Sequence, residues 1–331
     1  MPPRQRQAFE FVLDNLVWFM LLVVLAIFSA VIPNYFQPAI FANIVEQSSV
    51  LGVMSIGLAL VIIAGHMDLS VESVAALSAM VTGILFASSG IGLGITLTPG
   101  WIVVPVSLAA GLLVGGVIGL LNGFLVVKVK MNAFIVTLAS FIWVRGLVVA
   151  LSGGRSAQNL APELRWLGIQ RVLGIPLTAY IAIFCFVAFS FILAKTRFGR
   201  HLLMIGGNEG AAFRAGIKVN KVLMTAFVLS GAIAALAGWL LAIRTSGATA
   251  NLGAGMLFNA FAAVVIGGVS LKGGVGSLPG VYAGVLLLSS INTAINLMGL
   301  PAHYTQVIHG LLVLAAVLLD TLKQTIRKQL A

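Results

Sequence analysis

Apolar residues run unbroken for helix-length stretches along this chain, with no strict alternation of polar and apolar positions. The runs fall roughly at 15–32, 45–64, 70–88, 101–127, 133–151, 176–194, 222–243, 255–271, 278–298 and 304–320. Lipid admits only α-helices and closed β-barrels, and barrel strands would alternate. Runs such as Leu16–Ile32 and Ile102–Val127 are long enough to cross the bilayer core, which takes about 20 residues per helix. The pattern predicts an all-α, polytopic transmembrane helical bundle of about ten spans. The eighth run is the weakest, being short and glycine-interrupted. The second and third are parted only by His66–Ser70, which reads as a hairpin or as a span followed by a broken helix.

Composition agrees. Of the 331 residues 60% are hydrophobic and 8% charged, too few charges to cover a soluble fold of this size. That excludes an ordinary cytosolic enzyme, a disordered chain and a disulfide scaffold. The formal charge of +11 does not point to nucleic acid, because Lys and Arg collect in loops on one side. With ten spans and the N-terminus inside, fourteen of the 19 basic residues become cytoplasmic, as the positive-inside bias requires. Both termini are then expected in the cytoplasm. The first run is long enough to be a retained helix rather than a cleaved signal. Residues 1–331 read as one transmembrane domain. It has a polar external loop at about 152–175 and a charged cytoplasmic loop at about 195–221. Cys185 is the single cysteine and forms no internal disulfide.

Motifs for covalent chemistry are missing. No HExxH, GxxxxGK[ST], CxxC or GxSxG occurs, and the four histidines have no metal-ligand spacing, so no catalytic or metal site is expected. Gly267–Gly280 lacks the ending of a phosphate loop and reads as a flexible turn between spans. Carboxylates in apolar surroundings are few: Glu46, Asp68 and Glu72, with Asp320 at an end. Such groups are costly in lipid and often functional. Asp68 reads as a group lining a solute path or as a helix N-cap. Amides suit hydroxyl-rich solutes but also join helices. Asp68, Glu72, Asn122, Thr137, Asn259, Asn292 and Asn296 are the path candidates. Gly111, Gly115, Gly119 and Gly123 recur every four residues, a bare stripe for close helix packing. The surroundings of Asn122 and Asn292 are weakly alike, which would fit an inverted repeat.

Four stretches together resemble the permease subunit of bacterial ABC importers for ribose-type sugars. They are MDLSVESVAALSAM (67–80), GLLNGFLVVKVKMNAFIVTLASFIWVRGL (119–147), TRFGRHLLMIGGNEGAAFRAGIKVNKV (196–222) and FNAFAAVVIGGVSLKGGVGSLPG (258–280). The chain departs from the family pattern at Glu72, usually glycine, and at Asn132, commonly proline. It departs also at Gly210 and at Phe258-Asn259.

The resemblance implies a multi-pass protein of the bacterial inner membrane that performs no covalent chemistry. It implies four kinds of neighbour: a cytoplasmic ATPase subunit that binds the ATP, a soluble sugar-binding protein outside, a second permease copy or paralogue, and membrane lipid. No cofactor is expected in the chain itself. The 195–221 loop is expected to dock on the ATPase through Asn208, Glu209, Ala211, Ala212, Arg214, Gly216 and Ile217, as a short low-relief helix. The alternatives are an ABC permease for a nucleoside or branched-chain amino acid, and a secondary carrier. A proton-coupled carrier would need more intramembrane carboxylates than this chain has.

Overall fold

Away from water every backbone N–H and C=O needs a partner within the chain, and a helix supplies all of them locally. The computed structural model describes residues 15–299 and scattered positions between 307 and 321. Part of the tenth apolar run, both terminal basic clusters, His303, His309 and Asp320 lie outside the described residues.

The first two helices are α1 (Leu16–Val31) and α2 (Pro38–Ile63). Pro38 opens α2, where a missing N–H costs nothing. From Ser48 to Ile63 every residue of α2 is buried, as expected of a helix apolar on all sides. It is the core of the bundle. α3 (Val71–Phe86) follows a break at 64–70. α4 (Val103–Val127) continues a 3-10 turn at Gly100–Ile102, and α5 (Ala133–Ser152) returns. Asn132 starts α5 by accepting from the Phe134 and Ile135 N–H groups. The position that is commonly proline in the family is therefore filled by a side-chain cap.

α6 (Pro162–Ile169) is short; α7 (Leu177–Lys195), α8 (Arg197–Gly207) and α9 (Glu209–Arg214) come next. The last described helices are α10 (Val219–Thr245), α11 (Met256–Ile266) and α12 (Leu278–Leu297). Among the described residues six helices are long and apolar enough to cross a membrane: α2, α4 with its leading turn, α5, α7, α10 and α12. The apolar helices α1, α3 and α11 are shorter. The eleven residues of α11 rise only about 17 Å, roughly half the hydrocarbon thickness. The eighth run is thus a half-length helix.

The described chain is mostly helical, as expected of an all-α bundle, with a few short strands that the apolar pattern does not predict. Strands β1 (Ala87–Gly90), β2 (Ala157–Leu160) and β5 (Gly247–Ala248) form one antiparallel sheet in the order β1-β2-β5. Ala87 pairs with Leu160, and Ala157 with both Gly90 and Ala248. β3 (Arg171–Val172) and β4 (Ile175–Pro176) make a small hairpin. These strands sit where three inter-helix segments meet at one end of the bundle. Their backbone groups have no helix to satisfy them and pair with each other instead. The opposite end gathers Gly65, Lys130, Asn132, Glu209 and Leu271 around one cavity, and is the basic end.

α4 lies along α10. A Cβ on Gly115 would overlap the Gly231 carbonyl, and one on Gly119 the Phe227 carbonyl. Gly123 faces Met224, and Gly111 faces Ser78 of α3. The four-residue glycine stripe is therefore spent inside the chain, on the α3–α10 side, and not on a second copy.

Candidate functional site

The break between α2 and α3 is the polar centre of the molecule. Gly65 takes a φ of 81°, a left-handed turn that glycine makes without strain. The chain then reaches Asp68, which is fully buried. Its Oδ1 accepts from the Ser70 N–H at 3.0 Å and the Ser70 hydroxyl at 2.6 Å. Its Oδ2 accepts from the Ser230 hydroxyl of α10 at 2.8 Å. The Ser70 oxygen accepts in turn from Asn122 Nδ2 at 3.0 Å, and Asn122 Oδ1 accepts from Ser140 of α5 at 2.6 Å. The Thr137 hydroxyl lies 2.8 Å from the Ala133 carbonyl of its own helix and 3.3 Å from the Met67 carbonyl.

These contacts bring together three of the path candidates, Asp68, Asn122 and Thr137, and close them off. All three are fully buried and present no surface to a solute in this conformation. Their geometry ties the start of α3 to α4, α5 and α10. Three donors on one carboxylate supply much of what water would have given it.

Glu72, one turn on, is engaged differently. Its Oε1 meets Arg145 Nη2 at 2.7 Å, and its Oε2 accepts the Leu257 N–H at 3.0 Å. The second contact places a carboxylate on an otherwise unsatisfied N–H at the start of α11, where the helix dipole favours negative charge. Arg145 also donates to the carbonyls of Ala250 and Leu252, at 3.0 and 3.3 Å. One ion pair thus joins α3, α5 and the segment leading into α11. Arg145 was absent from the path candidates. The available signal was a lone arginine in one apolar run and a lone carboxylate in another.

The remaining path candidates are not gathered with these. Asn259 of α11 and Asn292 of α12 are half-buried, and Asn296 is exposed. Glu46 binds Arg171 of the β3–β4 hairpin at 2.8 Å and Arg244 of α10 at 3.6 Å, at the sheet end.

The 195–221 segment differs from the low-relief helix expected of it. Asn208 accepts the Ala211 N–H at 2.8 Å and starts α9, and Glu209 sits in its first turn. Ala211, Arg214 and Gly216 face outward, but Ala212 is only 2% exposed and Ile217 is buried too. The Ile217 N–H donates to the Ala212 carbonyl, folding that face inward. These two residues cannot belong to an outward docking surface. Phe213, by contrast, points outward, with 72% of its surface exposed.

Two cavities frame the bundle. One of about 470 Å³ at the basic end is lined by Gly65, Met67, Lys130, Asn132 and Glu209, among others. One of about 610 Å³ at the sheet end is lined by Ser88, Thr96, Asn159, Glu163 and Arg165 together with apolar side chains. Among the described residues no three His, Cys, Asp or Glu converge as metal ligands do.

Comparison with known proteins matches residues 40–317 to the family model described as branched-chain amino acid transport system / permease component. The ribose import permease protein RbsC of Escherichia coli (strain K12) is 37% identical over 308 residues, 92% of each chain. RbsC of Bacillus subtilis (strain 168) is 36% identical over 324 residues, 97% of each. The L-arabinose ABC transporter permease protein AraH of Azospirillum brasilense is 35% identical over 308 residues, 93% of this chain and 87% of its own. No solved structure gives a significant match.

Proposed function

The chain belongs to the family of branched-chain amino acid transport system permease components, and from that premise we propose that it is the membrane-spanning permease subunit of an ATP-driven importer of a ribose- or arabinose-type monosaccharide. The likeness to ribose and arabinose permeases along more than nine-tenths of the chain carries this reading. The family description names amino acids, which keeps a branched-chain amino acid as the second reading. A proton-coupled carrier is disfavoured because the described carboxylates in apolar helices are committed: Asp68 to three donors, Glu72 to Arg145 and α11, and Glu46 to Arg171 and Arg244.

In this reading ten spans cross the inner membrane with both termini in the cytoplasm and the basic end facing in. The chain itself catalyses no covalent step and holds no cofactor. A separate cytoplasmic ATPase binds and hydrolyses ATP, and meets the outward face of α9: Asn208, Glu209, Ala211, Phe213, Arg214 and Gly216. A soluble sugar-binding protein delivers the solute to the sheet end. Lipid and a second permease copy or paralogue cover the apolar outer faces of α4, α5 and α7, where Leu113, Ile142 and Phe184 project. ATP-driven closure of the ATPases shifts the balance between inward- and outward-open bundles, because ATP binds one arrangement better. Asn259, Asn292 and Asn296 keep open surface for sugar hydroxyls, and Asp68, Asn122, Thr137 and Glu72 hold the bundle around the path.

The test is uptake into proteoliposomes holding the permease with its ATPase and binding protein, using radiolabelled ribose, arabinose, leucine and uridine. ATP-dependent uptake of a pentose and not of the others is expected. Uptake of leucine alone would establish the second reading, and pentose uptake without ATPase would establish a carrier.

A further inference from the structure

Three chain segments meet at the basic end almost without side chains. The first is the end of α2, Ile63–Gly65. The second is the end of α8, Gly206–Gly207. The third is the turn between α11 and α12, around Gly273–Gly274. The Gly274 N–H donates to the Ile63 carbonyl at 2.8 Å. A Cβ on Gly206 would overlap both the Ile63 carbonyl oxygen and the Gly274 nitrogen. One on Gly273 would lie 2.7 Å from the Gly65 Cα, and one on Gly274 2.7 Å from the Gly207 Cα. The turn is itself closed by the Ser270 N–H to the Val275 carbonyl and the Gly273 N–H to the Ser270 carbonyl. This stretch, expected to be a flexible turn between spans, is packed backbone against backbone.

Position gives the seam its meaning. Gly207 immediately precedes Asn208, the residue that starts α9. Gly65 begins the break that leads to Asp68 and α3, and the turn joins α11 to α12. Side-chain contacts absorb small displacements by changing rotamer; backbone contacts have no rotamers to change. A push on α9 therefore reaches α2, the break and the α11–α12 pair together, or opens the seam as a unit.

We propose that this glycine seam is the joint through which movement of α9 is passed to the transmembrane bundle, with Gly206 as its key positioning residue. The proposal rests on the reading that α9 meets the ATPase. Gly206 and its neighbour Gly207 offer a matched pair. Both are in α8 without positive φ, but a Cβ on Gly207 meets nothing within 4 Å. Alanine at either site favours the helix, so only the seam tells the two apart.

The experiment compares wild type, Gly206→Ala and Gly207→Ala in reconstituted complexes. Basal ATPase rate, its stimulation by sugar-loaded binding protein, and sugar uptake are all measured. We expect Gly206→Ala to assemble with normal basal hydrolysis and to lose stimulation and uptake by roughly tenfold. Gly207→Ala should match wild type. Wild-type stimulation in Gly206→Ala overturns the proposal, as does equal loss in both variants. If Gly206→Ala fails to assemble, Gly276→Ala replaces it. Its Cβ would lie 2.9–3.0 Å from Cγ1 and Cδ1 of Ile63 and Cγ2 of Val269, so Ile63, the first residue of the seam, must shift. Reduced stimulation there supports the seam, and full stimulation overturns it. Phe213→Ala separates the two readings. Full stimulation in that variant removes α9 as the ATPase contact and the proposal with it, whereas loss in Phe213→Ala with wild-type stimulation in Gly206→Ala overturns the joint alone.

Discussion

Replacing Glu72 by glutamine changes one charge and hardly any volume. In the native protein its two oxygens each accept one donor, Arg145 Nη2 at 2.7 Å and the Leu257 N–H at 3.0 Å. An amide has one oxygen, so one of these donors must face an NH2 group. Arg145 then keeps only its contacts to Ala250 and Leu252. The Glu72 side chain is 5% exposed and that of Arg145 19%, so water makes up little of the loss. Removing one partner of a buried pair costs about 3–5 kcal/mol. The two carbonyls still bound to Arg145 place Glu72→Gln near the lower end, about 3 kcal/mol. Arg145→Gln strands a more deeply buried carboxylate and frees two carbonyls, for about 4 kcal/mol. The double variant has no stranded charge and should recover about 2–3 kcal/mol relative to the sum of the singles. Unfolding of the purified permease in mixed micelles by graded dodecyl sulfate, followed by circular dichroism, reads these differences. A cost for Glu72→Gln below about 1 kcal/mol, or simple additivity in the double variant, would refute the reasoning.

Two further outcomes are expected. Gly115→Ala should lose about 1–3 kcal/mol by overpacking against Gly231, whereas Gly116→Ala, whose Cβ meets nothing within 4 Å, should be neutral or gain up to about 1 kcal/mol from helix propensity; equal stabilities in the same denaturation assay would show that α4 and α10 do not touch there. In a Cys185→Ser background, single cysteines at Ser156 and Lys218 should react with impermeant maleimides from opposite faces of the membrane, and labelling from one face would sink the proposed orientation.

Much of the helical layout is readable from residue order, because an uninterrupted apolar run has few alternatives in lipid. The limits appear where partners are distant or elements short. The four-residue glycine spacing marks a bare face on α4, but nothing local says that Gly231 and Phe227 of α10 lie against it. Glu72 and Arg145 each look anomalous alone, and their pairing across 73 positions exists only in three dimensions. Ala211 and Ala212 are equivalent as sequence. In a helix of six residues there is too little periodicity to say which faces out. β1 reads Ala-Ser-Ser-Gly, too short and polar to show alternation, and becomes a strand because β2 is there to pair with it.

The Glu72–Arg145 pair also sets a schedule for the chain's birth in the membrane. A ribosome adding roughly 5–20 residues per second makes Glu72 about 4–15 s before Arg145, which lies 73 residues later. The Leu257 N–H that takes the other oxygen comes 185 residues after Glu72. During that interval α3 is a 16-residue helix headed by an unpaired carboxylate, and a lone charge within a membrane helix costs up to about 2.5–3.5 kcal/mol on insertion scales. That cost weakens the insertion of α3 on its own. We predict that it waits beside the insertion machinery or α2 until α5 arrives, so that the first half of the chain enters the bilayer as a group. Nascent chains truncated before Arg145 should accordingly leave α3 extractable by urea, and chains extended past the end of α5 should not; equal resistance in both would show that α3 inserts without its partner.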